Sequence, residues 1–382
     1  MLAENFTTRY LTEHDRGALT GFMKRAYGDH YILTDEKFFE WYTHPPRVSD
    51  EKSSLPIIGT FWKNALVGHI FVIPHYFSNR TGAKLPMVWN SNFMISAELQ
   101  QKGIGPAIVR HLLADESIFI SAGTGASLQH KGGRSLLEAM GYNFGFMNKY
   151  VFVFDEVALK IFKEVRPGDT EKIKEGLSRF QHFKGETVDT MKPSVFDQTM
   201  TDFWEKNMAK KFYGAWRDAD FFNWRYGAHP HFTYTPLVIA DEKHEIRGLA
   251  VWRIAEIAPS QKRVGRVVEF LPDDGFAEAL AFALLGELQE AGALMADFFM
   301  TTNLFDHALT RLGFISSRDF TERVPRLLDP LSFSDPFVNI VSKNIRAIDP
   351  ENGFNSFSNW YATSADGDQD RPNTITNLNT SP

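Results

Sequence analysis

The chain contains no cysteine among its 382 residues, which excludes disulfides, thiolate zinc and iron–sulfur sites, and any acyl intermediate on the protein's own sulfur. Long apolar runs are missing too. No stretch approaches the roughly 18 uncharged residues of a membrane span, and the opening Met1-Leu2-Ala3-Glu4-Asn5-Phe6 has neither the basic nor the apolar segment of a leader. No membrane span and a cytoplasmic address are therefore expected. Nor is there a basic surplus: 41 Lys and Arg stand against 47 Asp and Glu, for a net charge of -6. A nucleic-acid partner is not expected, and any polyanion must be met locally.

The apolar material, by contrast, is ample. Hydrophobic residues make up 43% of the chain and Phe alone accounts for 34, the composition of a folded globular protein. At roughly 150 residues per domain, this length fits two cores. The periodicity predicts an ordered series: a strand at 6–11, helices at 13–27 and 36–42, strands at 57–62, 66–77 and 87–96, a helix after Pro106, a short strand at 119–122, a helix at 133–140 and a strand at 150–154. A charged helical connector follows, and a coarse echo of the same order then runs from about residue 187 to 314. The expected fold class is α/β (α+β), two tandem units, each a mixed, mostly antiparallel twisted sheet flanked by helices. The boundaries are 1–154, a connector at 155–184, 185–330, and an extension at 331–382 whose end is expected to be disordered.

The strongest chemical signal is Gln100-x-x-Gly103-x-Gly105 between a strand and a helix. Glycines let the backbone approach a phosphate closely, and free N–H groups at a helix N-terminus supply a positive field. No Gly-Lys-Ser/Thr follows, so this is not a Walker loop, and the three-glycine spacing of a dinucleotide turn is absent. With Asn92 to Leu99 before it and Glu138-Ala139-Met140-Gly141-Tyr142 one strand and one helix later, the segment resembles the GNAT acyltransferase superfamily, whose signature is Gln/Arg-x-x-Gly-x-Gly/Ala after the fourth strand.

That resemblance covers residues 5–154 in motif and order, and 185–328 in order only. It implies acyl-CoA as co-substrate and no metal. The pyrophosphate would lie on Gln100, Gln101, Lys102, Gly103, Ile104, Gly105 and Pro106, with pantetheine beside Met94, Ile95 and Ser96 where the fourth and fifth strands splay apart. Lys102, Arg110, Lys131 and Arg134 are then partners for the adenosine phosphates, or merely solvated charges. The second half has Glu269 to Phe276 where the loop would stand, with carboxylates that repel a diphosphate, so one donor site per chain is expected. The tyrosine that many members use as the thiol-protonating acid is replaced by Leu137.

An amine attacking a thioester requires donors for the oxyanion and a route for the ammonium proton. Strand alternation sends Asn90, Asn92 and Met94 to one face, and His69, Phe71, Ile73 and His75 to one face; either polar set can front the cleft. Asn92, His69, His75 and Glu269 are the catalytic candidates. Asp29 and His30, in a loop that borders the acceptor in this family, are substrate-binding candidates, with turn chemistry as the bland reading. A cluster from Phe203 to Tyr234 interleaves aromatics with cations; its Trp224 and Arg225 are read as acceptor contacts, although helical spacing assigns many of these rings to a core. The string from Asp218 to Pro230 looks like segments of tandem acyltransferases for surface-polysaccharide sugars. The acceptor is therefore expected to be a small-molecule amine, an amino sugar linked to a nucleotide. A peptide or cell-wall precursor and a non-catalytic CoA-binding module are the alternatives, and a homo-oligomer is left open. The Asp366-x-Asp368-x-Asp370 run lacks the Gly and Glu of a calcium loop; its carboxylates hold a cationic acceptor or make turns with a solvated end, the second reading being preferred.

Overall fold

A computed structural model describes residues 6–47, 54–125, 131–155, 167–184, 188–257, 262–316, 325–326, 332–333, 338–347, 353–372 and 374–375. The first half runs β1 (Phe6–Thr12), α1 (Arg16–Tyr27), α2 (Glu36–Thr43), β2 (Ser54–Trp62), β3 (Ala65–Asn79), β4 (Lys84–Ile95), α3 (Ile104–Ala114), β5 (Ile120–Thr124), α4 (Lys131–Ala139) and β6 (Asn143–Val153). After α5 (Pro167–Gln181) come β7 (Asp189–Met191), α6 (Gln198–Phe203), β8 (Tyr213–Ala215), α7 (Ala219–Phe222), β9 (Thr235–Ala240), β10 (Ile246–Ile257), β11 (Lys262–Pro272), α8 (Ala277–Glu290), β12 (Met295–Met300), α9 (Asp306–Arg311) and β13 (Ile315–Ser316). The short β14 (Pro325–Arg326) and β15 (Ser332–Phe333) pair with each other, and β16 (Val338–Asn344) completes the strands.

Period-2 alternation in β3 explains the layering. Phe71 and Ile73 meet Leu19, Phe22 and Met23 of α1 and Phe38 of α2 on one face; Ile70 and Val72 meet Ile104, Ile108 and Leu112 of α3 on the other. β4 runs parallel to β5, and β11 to β12. A parallel neighbour requires a crossover, which α3 and α8 provide in corresponding places. The duplication extends to a shared irregularity. In β4, Phe71↔Ser91 is followed by His69↔Met94, so an extra residue bulges there; in β11, Trp252↔Val267 is followed by Val251↔Glu269.

The strands of the two units join edge to edge: β6 pairs through β16 with the first half and directly with β12, giving the continuous order β1-β2-β3-β4-β5-β16-β6-β12-β11-β10-β9-β7. The extension takes part in both sheet and core. β16 slots between β5 and β6, and Trp360 and Tyr361 are fully buried. Phe354, Phe357 and Trp360 pack on Phe77 and Tyr213, so aromatic burial outweighs the weak helix signal of the segment. The expected disordered end falls largely on 376–382, outside the described residues. No helix among the described residues is long and apolar enough to cross a membrane.

Candidate functional site

Gly103 caps α3 in the left-handed region at φ 89 and is exposed, with nothing within 4 Å of where a Cβ would stand. The buried side chains of Ile104 and Ile108 anchor the first turn to the sheet. The amides of Gly103, Ile104 and Gly105 have no acceptor among the described residues, and Pro106 has no N–H to satisfy. Free amides on a positive helix end form an anion cradle. Lys102 and Arg110 stand exposed beside it, whereas Arg134 is engaged by Glu138 at 2.6 Å. The Lys131 side chain lies outside the described residues.

β4 and β5 pair from Met87↔Ile120 to Asn90↔Gly123 and then part. The bulge lies at this point of separation. Asn92, at φ 50, turns its side chain toward α1: Oδ1 accepts from the Tyr31 hydroxyl and from Arg371 Nη2 at 3.2 Å, and Nδ2 donates to Ser91 Oγ at 3.2 Å. Asn90 instead donates to Ser121 Oγ at 2.6 Å, next to Tyr142 on the α3 side. The alternation expected to bring Asn90 and Asn92 to one face therefore fails, because the extra residue flips the strand. Met94 packs on the α1 side with Phe22 and Phe71.

The carboxyl-terminal segment crosses this opening. Thr124 Oγ1 at the end of β5 donates to the Asp366 carbonyl at 3.1 Å. Arg371 Nη2 donates to the Tyr31 hydroxyl at 3.1 Å and lies 3.5 Å from Asp368 Oδ2. Burial pushes the Tyr31 phenol upward against the pull of Arg371. Burial works against the Arg371 charge, but Tyr31 and Asp368 outweigh it and raise that group. Sequence reasoning did not single out Tyr31 or Arg371, and it left Asp368 between a cationic-acceptor contact and a solvated turn. It stopped one residue short at Asp29 and His30, whose side chains are exposed in the turn; only the His30 carbonyl is engaged, by Ile375 N at 2.8 Å.

The remaining candidates are dispersed. His69 is enclosed between Phe22 and Phe71, with neither ring nitrogen bonded, and burial lowers it to about 3. His75 is likewise lowered to about 3, by burial and then by Arg47, Arg217 and Arg225, but its ring lines a cavity with Trp89, Phe221, Trp224 and Asp366. Glu269 does not face a cleft. It is fully buried and accepts from Arg217 Nε at 2.9 Å, Tyr226 at 2.8 Å and Tyr361 at 2.9 Å. Arg225 is also structural, donating to the carbonyls of Ala365 and Asp370. Trp224 stacks on Trp41 at 5.2 Å. Most of the Phe203–Tyr234 aromatics form the second core, as their helical spacing allows.

The second half keeps a bulge but not an opening. Tyr361 OH receives the Phe270 amide at 2.8 Å, Thr363 Oγ1 donates to the Val268 carbonyl at 2.7 Å, and Thr363 bridges Met300 of β12. The chain's own segment thus occupies the space between β11 and β12. Asp273 and Asp274, where a phosphate loop would lie, are paired with Lys211.

No protein-family model matches the chain, and no curated protein matches it in sequence. Solved structures do match in fold. A GCN5-related N-acetyltransferase from Anabaena variabilis superposes with a TM-score of 0.58 at 10% identity, covering 89% of this chain and 73% of that one. A probable N-acyltransferase from Enterococcus faecalis gives 0.58 at 11% over 89% and 73%. The N-myristoyltransferase of Saccharomyces cerevisiae, with bound myristoyl-CoA, gives 0.52 at 14% over 94% and 84%. The fold is that of the GCN5-related N-acetyltransferases, and the order of elements, the parallel pair and the bulge each occur twice in it.

Proposed function

We propose that the chain transfers an acyl group from acyl-CoA to a primary amine, with an amino sugar linked to a nucleotide as the acceptor class. The observation that carries this reading is the asymmetry of the duplicate. The first half has an exposed glycine cap with three free amides, while the second has Asp273 and Asp274 in the corresponding place, paired with Lys211, and Tyr361 and Thr363 between β11 and β12. One donor site per chain follows. The GNAT fold supports it, since the yeast structure of that fold was solved with an acyl-CoA.

The amides of Gly103 to Gly105 would hold the pyrophosphate, and the stretch from Met94 to Ser96, paired to β3 but past the end of the β5 pairing, would align the pantetheine. The thioester supplies the activated acyl group. Asn92, fixed by Tyr31 and Arg371, shapes the bulge where the amine must arrive, and Asp368 offers a carboxylate to collect the ammonium proton. Catalysis then rests chiefly on positioning. Thiol release from acetyl- and longer acyl-CoA over a panel of amino sugars, peptides and simple amines tests the reading; CoA binding without turnover on any amine would favour the non-catalytic module that Leu137 also fits.

Arg371→Met removes the guanidinium that links Asn92 to Tyr31. Its kcat is expected to fall by roughly 100-fold through misplacement alone, with acyl-CoA affinity by calorimetry unchanged. Equal losses in both would place Arg371 at the donor instead.

A further inference from the structure

The cavity between the two halves has a chemistry of its own. Asp366 is 2% exposed, and its Oδ2 is taken by Arg217 Nη2 at 2.6 Å and the Thr363 amide at 2.8 Å. Its Oδ1 is buried with no partner. Trp89, fully buried in β4, has an indole N–H with no acceptor. Both residues line the same small cavity, whose interior admits a group the size of a water. Leaving a buried donor and a buried carboxylate oxygen unmet costs about 1–3 kcal/mol each, a cost that one small polar group bonded to both would remove.

That occupant must accept from the indole and donate to the carboxylate. An anion fails the second requirement. An ammonium fails the first, and it would enter a field set by Arg47, Arg217 and Arg225, all of which disfavour a proton on His75 at the cavity wall. A neutral hydroxyl meets both. Phe221 and Trp224 add aromatic walls. Tyr42, also on the wall, is bonded to Ser91 at 2.6 Å, and Ser91 adjoins Asn92.

We infer that this cavity is a hydroxyl-recognition subsite, in which Asp366 Oδ1 and the Trp89 indole hold one hydroxyl of a polyhydroxylated amine while its amino group reaches the bulge at Asn92. The identity of the occupant as an acceptor rests on the acyl-transfer reading; the preference for a hydroxyl does not.

The test is a titration of ¹⁵N-labelled full-length protein with glucosamine and with cyclohexylamine, which keeps ring and amine and lacks every hydroxyl. The Trp89 indole resonance is assigned with Trp89→Phe, or by side-chain connectivity should that variant fold poorly. Glucosamine is expected to move this resonance saturably, and cyclohexylamine to leave it in place. No movement with glucosamine, the behaviour of a structural water only, overturns the proposal, and so does equal movement with both amines. Calorimetry with acetyl-CoA is run on the same sample: a shifted indole without acyl-CoA binding would sink the transfer reading and leave the subsite standing. In turnover, Trp89→Phe is expected to raise KM for glucosamine about ten-fold, the worth of one buried hydrogen bond, with the KM for cyclohexylamine unmoved.

Discussion

Gly103→Asp is expected to lower acyl-CoA affinity by about 100-fold or more, read by calorimetry, while the circular dichroism spectrum and melting temperature stay near those of the parent chain. Gly103 is exposed with open space around its missing Cβ, so an added side chain meets nothing in the free protein. Its φ of 89 is left-handed, a region that Asp and Asn enter at less cost than other side chains. The loss comes from charge: a carboxylate about 4 Å from a phosphate opposes it by about 4 kcal/mol at the effective dielectric of a protein surface, against 1.4 kcal/mol per factor of ten. Gly103→Asn separates charge from bulk, because it keeps shape and backbone preference; most of the affinity should survive. Unchanged binding by Gly103→Asp would mean that the amides of α3 do not receive the donor. Gly105 is no substitute for this test, since a Cβ there would stand 3.0 Å from Leu136, and any change would mix packing with binding.

The glycine cap of α3 was legible because its signal is local. A glycine cap, a proline in the first turn and the apolar spacing of Ile104, Ile108 and Leu112 all lie within a dozen residues, and the structure assembles them in that order. The repeat was legible for the same reason: each strand and helix carries its own period. What joins the halves was not. The pairing of β6 with β12 and the insertion of β16 between β5 and β6 depend on edges left open by other elements, which no window of sequence contains. The contacts at the β4 bulge were the least legible. Tyr31 and Arg371 are 340 positions apart, and the bulge that turns Asn92 toward them breaks the alternation on which face assignments rely. The run from Trp360 to Pro372 was conspicuous in composition, but its carboxylates suggested a cationic acceptor or solvent rather than buried arginines. Their buried partners Arg217, Arg253 and Arg266 are scattered over the second half.

That scattered set yields the largest expected change in stability. Asp370 is fully buried and holds Arg253 Nη2 at 2.7 Å, Arg266 Nη1 at 3.3 Å and the Tyr234 hydroxyl at 2.7 Å. Burial alone would raise its carboxyl; Arg253 and Arg266, with Arg225, outweigh it and hold the group well below the usual range. Asp370→Asn preserves the outline but leaves two guanidinium groups without this carboxylate charge, and is expected to cost about 3–5 kcal/mol, seen as a lowered urea midpoint at pH 7. The sign of the pH dependence follows from the depressed value. Stability from Asp370 is complete above the unfolded carboxyl pKa of about 3.9 and is lost as pH falls below it toward the folded value. Parent and variant should therefore differ most near neutrality and converge below about pH 4. A constant gap across that range would assign the loss to packing rather than charge. Because Asp368 and Arg371 flank Asp370 in one buried segment, the variant should also lose turnover in urea well below its unfolding midpoint: the latch that closes the second half's gap is the same chain that presents Arg371 to Asn92 in the first.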